Sequence, residues 1–450
     1  MVNWSAHGAV PRVRATERMP AFAVIVLLIA GAVSVLVAIG PVNASWTLLV
    51  VVAGVALVRN VELAALTFVA LAPFEGYAKS ISGSAVKLFG AVLFAAWLLR
   101  VLTRGTPVRL SHPVARAAGV LLAVLLTSAV VHQNGALGTE VLIRYLSYLA
   151  ALVVLIDCMQ DRLHPQRVAR MYVAACSVAA LVGLVMFFRH NLRASGPVGD
   201  PNDFAFFLVA ALPLCFGLRH DARHKQVYNL AALTMALAVL ATFSRGALVG
   251  IGAMLVYALS SRRIRAGAVI AAVALAAIAV TATSIVAPGK LGTSLHAKGQ
   301  VAQQNIDTRL SRWQAAAEMT YDHPLIGLGP AGFRENYDRY IDYHGTNPER
   351  GLDVAHEMYL EVSSELGVVG LAAFAGVLGF GYRGARESAR KQHLDADLAS
   401  SVCVAFVGAG VAAIFLTEQY YLPLWLLAAL GAALQARSTR HAEFDPAVVV

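Results

Sequence analysis

Long apolar runs constrain the fold of this chain more than any other feature. They recur along all 450 residues, and most are near the roughly 20 residues that an α-helix needs to cross about 30 Å of hydrocarbon. A transmembrane barrel would show strands of roughly 10 residues with alternating hydrophobicity instead. With 58% hydrophobic and only 14% charged residues, the chain also carries too little charge for a soluble domain. We therefore predict an all-α polytopic membrane protein.

The apolar runs predict about 12 to 14 transmembrane helices, because two of the candidates are short for a full crossing. The first run follows arginines in the manner of a signal peptide, but it is longer than the usual apolar core of 7 to 15 residues, so we interpret it as a retained helix. The candidate spans are residues 21–39, 45–58, 63–74, 85–102, 114–131, 139–156, 168–188, 203–218, 227–243, 246–260, 267–286, 366–382, 398–416 and 422–434.

The distribution of arginine and lysine predicts the topology. Every second loop between the spans is basic, whereas intervening loops such as 132–138 and 417–423 have almost no basic residues. Because short cytoplasmic loops retain basic residues, both termini are expected inside. The chain then divides into a cytoplasmic tail, N-terminal helices, a large extracytoplasmic loop, C-terminal helices and a second cytoplasmic tail. These parts are residues 1–20, 21–288, 289–365, 366–436 and 437–450.

The net charge of +10 does not indicate nucleic-acid binding, because the basic residues are scattered through short loops and form no single patch. The 4 cysteines lie in or beside apolar runs without metal-ligand spacing. We expect neither a disulfide framework nor a nucleic-acid partner, and membrane lipids surround the chain.

Several cations lie on the side of the membrane that should lack them. Lys87 and Arg144 lie at the outer ends of their predicted spans, Arg245 is in a very short outer turn, and Arg193 and Arg309 are also outside. A cation in or beside a span is costly unless it meets an anion or snorkels to water. Taken by itself, Lys87 is explained by snorkelling to water. The shared location of these cations, however, predicts a binding site for an anionic headgroup, since one guanidinium group can bind two phosphate oxygens at once.

Residues 196–204 precede the eighth span on the same side and contain Asn202. They are typical of a turn followed by an N-cap, in which Asn202 or Asp203 satisfies the first amides of the helix. The alternative is that these amides also help to hold a phosphate group.

The loop 289–365 is the only long polar segment, and its periodicity predicts amphipathic helices at 308–319, 333–343 and 354–365. Arg309 and Trp313 would share a helix face, so the arginine can project beside the ring; alternatively Trp313 packs onto the membrane surface.

Glycines at 327, 329 and 332 formally match a dinucleotide-binding pattern. No strand precedes them and no strand–helix–strand unit follows, so we interpret the segment as a turn between two helices.

His356 would begin a helix immediately before the chain re-enters the membrane. A neutral imidazole at that place can accept a proton from a sugar hydroxyl, although a purely structural histidine is the alternative. Glu357 and Glu361 share a helix face with each other and with no further ligand, so no metal site is predicted.

Several of these segments together resemble the signature of the O-antigen ligase and polymerase family. They are Arg309-x-x-x-Trp313, the segment 323–329 with Phe333, and the segment 355–370 that contains His356. The Pro-Asn pair before the eighth span and the turn at Arg245 are also similar to that family's. The resemblance covers about residues 196–370, and it departs at Glu357, where the family usually has Asn.

The resemblance implies a metal-independent glycosyltransferase of the GT-C type in the bacterial inner membrane, with its site facing the periplasm and no cofactor. The donor would be an undecaprenyl-diphosphate-linked glycan, and the acceptor lipid A-core or another surface glycan or glycolipid. Arg245 and Arg309 would bind the diphosphate and His356 would activate the acceptor hydroxyl, by inverting displacement. Arg144 and Lys87 would add to the donor site from the membrane. The residues expected to support the site are Asn202, Arg312, Trp313 and Tyr359.

Two other functions remain open at this stage. A polymerase that adds repeat units would use the same donor chemistry as a ligase. An anion transporter, for example of bicarbonate, would also contain cations within its spans. A transporter should show internal repeats and interrupted helices, and no such repeat is visible in this sequence.

Overall fold

The chain forms two compact units, Met1–Leu57 and Val58–Val450. Of the first unit, the structure, a computed structural model, describes only residues 54–57, which are helical. The second unit carries all of the predicted site residues. The described residues of the whole chain are 54–81, 85–105, 108–189, 192–219, 223–262, 281, 309–341, 354–391 and 395–444.

The described part of the second unit is built from helices and contains no strand. Short 3-10 turns interrupt or join these helices at Ala72–Phe74, Gly196–Val198 and Ala413–Phe415. The α-helices are α1 (Val61–Leu71), α2 (Glu75–Ile81), α3 (Ala85–Arg104), α4 (Pro113–His132), α5 (Gly135–Asp161), α6 (Pro165–Arg189), α7 (Pro201–Arg219), α8 (Lys225–Thr242), α9 (Arg245–Ser260), α10 (309–322), α11 (Gly332–Tyr340), α12 (Met358–Arg390), α13 (Ala396–Ala412) and α14 (Leu422–Phe444).

Among the described residues, 7 helical segments are long and apolar enough to cross a membrane. This confirms the prediction of an all-helical, multi-pass protein, while the predicted total of about 12 to 14 spans stays a prediction. The predicted spans 21–39 and 267–286 fall largely or wholly outside the described residues. The 7 segments are Val61–Ala78, Pro113–His132, Gly135–Asp161, Pro165–Arg189, Pro201–Arg219, Met358–Arg390 and Ala396–Phe415.

The predicted span 63–74 is longer in the structure than its apolar run suggests. Pro73 lies in the 3-10 turn that joins α1 to α2, and the candidate crossing extends over Val61–Ala78. The helical path therefore continues past the proline, because the start of a 3-10 turn tolerates the amide hydrogen that proline lacks.

Helix α14 lies at the centre of the helical bundle. Every residue from Leu422 to Leu434 is buried, and the helix packs against α12 and α5. Where α12 and α14 cross, a Cβ added to Gly431 would lie 2.0 Å from the carbonyl oxygen of Gly381, so the two backbones touch. Small residues permit this close approach of membrane helices. The last predicted span thus forms part of the protein core.

Several helix ends meet at one end of the bundle. The amide of Ala194, after α6, donates to the carbonyl of Ala241 in the last turn of α8 at 2.9 Å. Tyr421, just before α14, donates to Asp203 in the first turn of α7 at 2.7 Å. The first contact joins the C-terminal ends of α6 and α8, and the second joins the N-terminal ends of α7 and α14. Arg193 connects the two pairs through its hydrogen bonds to Thr242 and Asn202.

The amphipathic helices predicted for the long loop form with shifted boundaries. They run over 309–322 and Gly332–Tyr340, close to the predictions. The third begins at Met358 instead of residue 354, because Glu357 caps it, and it continues into the long helix α12. An apolar cluster that includes Ala316, Met319, Phe333 and Ala355 packs these elements together.

Candidate active site

Arg245, Arg309 and Arg312 lie near one another, the first at the N-terminal end of α9 and the other two on α10. Arg245 opens α9, directly after Ser244, whose hydroxyl accepts from the Ala247 amide at 3.4 Å. Burial lowers the pKa of Arg309, and the positive charges of Arg312 and Arg245 lower it further. Among the described residues, the structure records no ion pair of Arg245 or Arg309. The group is therefore a concentration of positive charge suited to an anion.

Helix α10 places its charged residues by its period. Arg309, Arg312 and Trp313 lie three and four residues apart and share one face. Arg312 is only 5% exposed, Trp313 is half-buried, and Arg309 is half-buried. The adjoining Ala316 belongs to the apolar cluster of the loop helices. The packing of α10 thus holds these side chains against the protein, on the one helix face that was predicted for Arg309 and Trp313.

The N-terminal end of α7 is capped by a different residue from the one predicted. Asp200 Oδ1 accepts from the amides of Asn202 at 2.6 Å and Asp203 at 3.1 Å. The prediction that Asn202 or Asp203 caps this helix was wrong, because a residue before the first turn reaches these amides and residues inside it do not. The amides are occupied by Asp200, which argues against the alternative that they bind a phosphate group.

Asn202 is instead linked to Arg193. The guanidinium group of Arg193 donates to Asn202 Oδ1 at 3.0 Å and to the Thr242 carbonyl at 2.8 Å. Burial lowers the pKa of Arg193, while the nearby Asp200 opposes this shift. Arg193 therefore connects the start of α7 to the end of α8. Thr242, at that end, precedes Ser244 by two residues and is close in the chain to the arginine group.

His356 lies in a strained turn at the start of α12. Its φ of 51° is in the left-handed region, which few non-glycine residues adopt, and its side chain is half-buried. The next residue, Glu357, caps α12 by accepting from the Leu360 amide. Burial raises the pKa of Glu357 to about 6. His356 therefore lies two residues before the long helix, whereas the sequence predicted that it would begin a helix.

Two buried carboxylates follow His356 on the first turns of α12. Glu361 is fully buried, and its Oε2 accepts from the Ala355 amide at 2.9 Å and from the Thr417 hydroxyl at 2.8 Å. Glu365 is also fully buried and accepts from the Tyr420 hydroxyl at 2.8 Å. Both side chains therefore lie inside the protein, hydrogen-bonded to the 416–421 region that precedes α14.

The residues 416–421, called here the 416–421 loop, join α13 to α14 and contact each part of the site. Thr417 donates to Glu361, Tyr420 to Glu365 and Tyr421 to Asp203. Phe415, just before this loop, packs so closely on Gly246 that an added Cβ there would lie 2.8 Å from the phenylalanine Cβ. The loop therefore connects the His356 turn with the helix end that carries Arg245.

Glu418 in the same loop is buried and lies among other carboxylates. It is 0% exposed, and neither of its carboxylate oxygens has a hydrogen-bond partner among the described residues. Burial raises the pKa of Glu418 well above its ordinary value, and the charges of Asp203, Asp200 and Glu75 raise it further. Burial and the neighbouring carboxylates thus favour the protonated form of Glu418.

The segment 323–329 docks onto a break in α12 at Gly367. Gly367 has φ 68° and ψ −176°, and the Val368 amide donates to the Pro324 carbonyl at 2.7 Å. The amides of Leu328 and Gly329 donate to carbonyls of α12 at 2.9 and 2.8 Å. This confirms that the glycine-rich segment is a turn between helices, here α10 and α11. Its docking fixes the loop helices to the start of the membrane helix.

The remaining predicted residues lie in three different places. Arg144 forms an ion pair with Glu75, which joins α5 to α2. Tyr359 donates its hydroxyl to the Gly410 carbonyl at 2.9 Å, which joins α12 to α13. Lys87 lies in the first turn of α3, but its side chain is outside the described part.

The buried carboxylates were not identified from the sequence, because only the cations were considered as unexpected charges in or beside a membrane span. Glu361, Glu365 and Glu418 interrupt apolar stretches in the same way, and an ionisable residue at such a place indicates function by the same argument. Applied to both signs of charge, that argument finds all three. Among the described residues, no group of three or more histidine, cysteine or acidic side chains has an arrangement that fits a metal ion. Metal independence stays a prediction.

Residues 230–375 match the O-antigen ligase family. This confirms the resemblance seen in the sequence, over a stretch that contains Arg245, Arg309 and His356. The N-terminal helices α1 to α7 lie outside the matched stretch. No curated protein matches the chain.

Proposed function

We propose that this chain, whose residues 230–375 match the O-antigen ligase family, is a membrane glycosyltransferase of the GT-C type that acts at the outer face of the bacterial inner membrane. Its donor is a glycan linked to undecaprenyl diphosphate, and its acceptor is a hydroxyl group of lipid A-core or of another surface glycan or glycolipid. The distribution of basic residues in the loops supports the outward location of the site.

The observation that carries this proposal is the group of Arg245, Arg309 and Arg312. Like charges this close repel one another, and burial adds to the cost of holding Arg309 charged. A diphosphate relieves both costs, because its anionic oxygens accept charge-assisted hydrogen bonds from guanidinium groups. The group therefore favours a ligand with several negative charges in one place.

The reaction is a displacement at the anomeric carbon of the donor. His356 accepts the proton of the acceptor hydroxyl, whose oxygen forms the new glycosidic bond with inversion. The bond between the anomeric carbon and the diphosphate oxygen breaks, and the electron pair leaves with the lipid diphosphate. Arg245 and Arg309 stabilise the charge that develops on this leaving group, which is the function of preorganised cations in such reactions.

Residues near these three support the site in different ways. Arg312 adds positive charge from the same face of α10, and Trp313 gives an apolar wall beside it. Asn202 is held by Arg193 at the neighbouring helix end, and Tyr359 fixes α12 against α13. Arg144 and Lys87 extend the donor site towards the membrane in this proposal.

The test uses purified protein, a lipid-diphosphate glycan and candidate acceptors. Arg245→Ala, Arg309→Ala and His356→Ala are each expected to lower transfer by about 100-fold or more. Arg383→Ala is the matched control, because this arginine side chain is 73% exposed and, among the described residues, pairs with Glu387 on the next turn of its own helix. Full transfer by all three site variants refutes the assignment.

The products of the same assay separate the alternatives. Transfer of a finished glycan to lipid A-core supports a ligase, whereas a ladder of repeat units on the lipid carrier supports a polymerase. Anion uptake by protein-containing liposomes without any transfer would support a transporter. Metal independence predicts unchanged transfer in the presence of a chelator.

A further inference from the structure

The backbone at His356 needs support from its surroundings. A residue with a β-carbon is disfavoured at φ 51°, so this turn persists only when neighbouring groups hold it. A catalytic imidazole must also keep its direction, because a displacement of about 1 Å can cost roughly 100-fold in rate. A neighbouring group must therefore hold the turn in place.

Glu357 does not do so with its side chain. This residue stands next to His356, but its carboxylate accepts from the Leu360 amide and caps α12. Its carboxylate is thus committed to the helix that follows. The amide of the residue before His356 needs another acceptor, since Ala355 is fully buried and cannot use water.

Glu361 supplies that acceptor. Its Oε2 lies 2.9 Å from the Ala355 nitrogen, reaching back from the first turns of α12 as the acidic residue of a capping box does. Glu361 is fully buried, and its charge lies within electrostatic reach of His356. A second donor, the Thr417 hydroxyl, binds the same oxygen at 2.8 Å and fixes the carboxylate.

We propose that Glu361, oriented by Thr417, is a positioning residue that holds the His356 turn in its active direction. This inference rests on the proposed function, in which His356 accepts the acceptor proton. In this proposal the 416–421 loop also has a structural role, because it fixes the position of the His356 turn relative to the N-terminal end of α9, which carries Arg245. Glu361 itself makes no contact with the reacting groups in this proposal.

The chain offers variants that separate a hydrogen bond from a charge. Glu361→Gln keeps a carbonyl oxygen that can accept both hydrogen bonds, whereas Glu361→Ala removes them. Thr417→Val removes the hydroxyl at nearly constant shape, and Thr417→Ser keeps it. Each variant is measured in the full-length purified protein for kcat, KM and binding of the lipid-diphosphate donor.

Glu361→Ala is expected to lower kcat by about 100-fold, with little change in KM or donor binding. Glu361→Gln and Thr417→Ser should recover most of this loss, and Thr417→Val should show a smaller loss of the same kind. In a His356→Ala background, Glu361→Ala should cause no further loss, because its effect passes through the histidine.

Three results would overturn the proposal. They are equal losses in Glu361→Gln and Glu361→Ala, a full additional loss in the His356→Ala background, and wild-type kcat in both Glu361→Ala and Thr417→Val. If Glu361→Ala does not fold, the comparison of Thr417→Val with Thr417→Ser decides. Full activity of His356→Ala refutes the proposed function itself, whereas an inactive His356→Ala beside a fully active Glu361→Ala refutes only the positioning role.

Discussion

Arg144 and Glu75 form an ion pair between α5 and α2, with Nη2 of the arginine 2.6 Å from Oε1 of the glutamate. The two side chains are only 15% and 3% exposed, and the Tyr148 hydroxyl lies 3.4 Å from the second carboxylate oxygen. Charges within a membrane protein are retained where they pair with one another. Arg144 therefore has a structural partner, and any role in donor binding must share the guanidinium group with Glu75.

The ion pair predicts an asymmetric response to mutation. Arg144→Met or Glu75→Gln alone should destabilise the protein by about 3–5 kcal/mol, because each leaves a buried charge without its partner. The double variant should recover much of this loss. Thermal unfolding in detergent measures the effect, and Arg383→Met, which removes the exposed pair with Glu387, serves as a control with a loss below about 1 kcal/mol. Additive losses in the double variant would contradict the prediction.

The break in α12 predicts a strong effect at Gly367. A Cβ at this position would lie 2.3 Å from the Leu325 backbone carbon, and φ is 68°. Gly367→Ala should therefore destabilise by about 1–3 kcal/mol or more and should reduce transfer by displacing the segment 323–329. Gly379→Ala on the same helix is the matched control, since nothing lies within 4 Å of its added Cβ. Unfolding midpoints that shift equally in the two variants would show that Gly367 is not constrained.

Glu357 predicts a dependence of stability on pH. Its pKa of about 6 in the folded protein lies above the ordinary value of 4.5, so folding favours the protonated form. This contribution is fully present below about pH 4.5 and is lost as the pH rises through about 6, by about 2 kcal/mol in total. Glu357→Asn keeps an N-cap without a charge.

Unfolding midpoints of the wild type and Glu357→Asn, measured from pH 4.5 to 7.5, test this. The asparagine variant should gain in relative stability as the pH rises, with most of the change between about pH 4.5 and about pH 6. Parallel curves for the two proteins would mean that Glu357 ionises normally. Transfer activity should survive the exchange, because the resembled family usually has Asn at this position.

The raised pKa of the buried Glu418 carboxyl group predicts a second dependence of stability on pH. Its raised folded pKa means that its contribution to stability is present at low pH and is lost as the pH rises through that pKa. Glu418→Gln removes the ionisation and keeps the shape. Unfolding temperatures of the variant and the wild type are compared at about pH 5 and about pH 8, and the variant should gain in relative stability at the higher pH. A variant that is equally destabilised at both pH values would show that the carboxyl group itself has a partner.

The sequence was sufficient for the helices and for the location of the principal cations. Hydrophobic runs follow directly from the requirement that a membrane helix expose apolar side chains, so α4, α5, α6 and α7 lie within a few residues of their predictions. The turn with glycines at 327, 329 and 332 was also identified correctly, because no strand precedes it. The charges of Arg245 and Arg309 lie close to each other, while their shared role in binding a diphosphate stays a prediction.

Tertiary structure alone decided which side chains act on one another. Glu75 and Arg144 are far apart in the chain, as are Glu361 and Thr417, and no local period relates the members of either pair. Local sequence governs the conformation of each helix, since its hydrogen bonds lie within a few residues. The partner of a buried charge is instead set by how the helices pack. The sequence therefore indicated His356 as a candidate base, and only the fold showed that the carboxylate of Glu361 lies behind its turn.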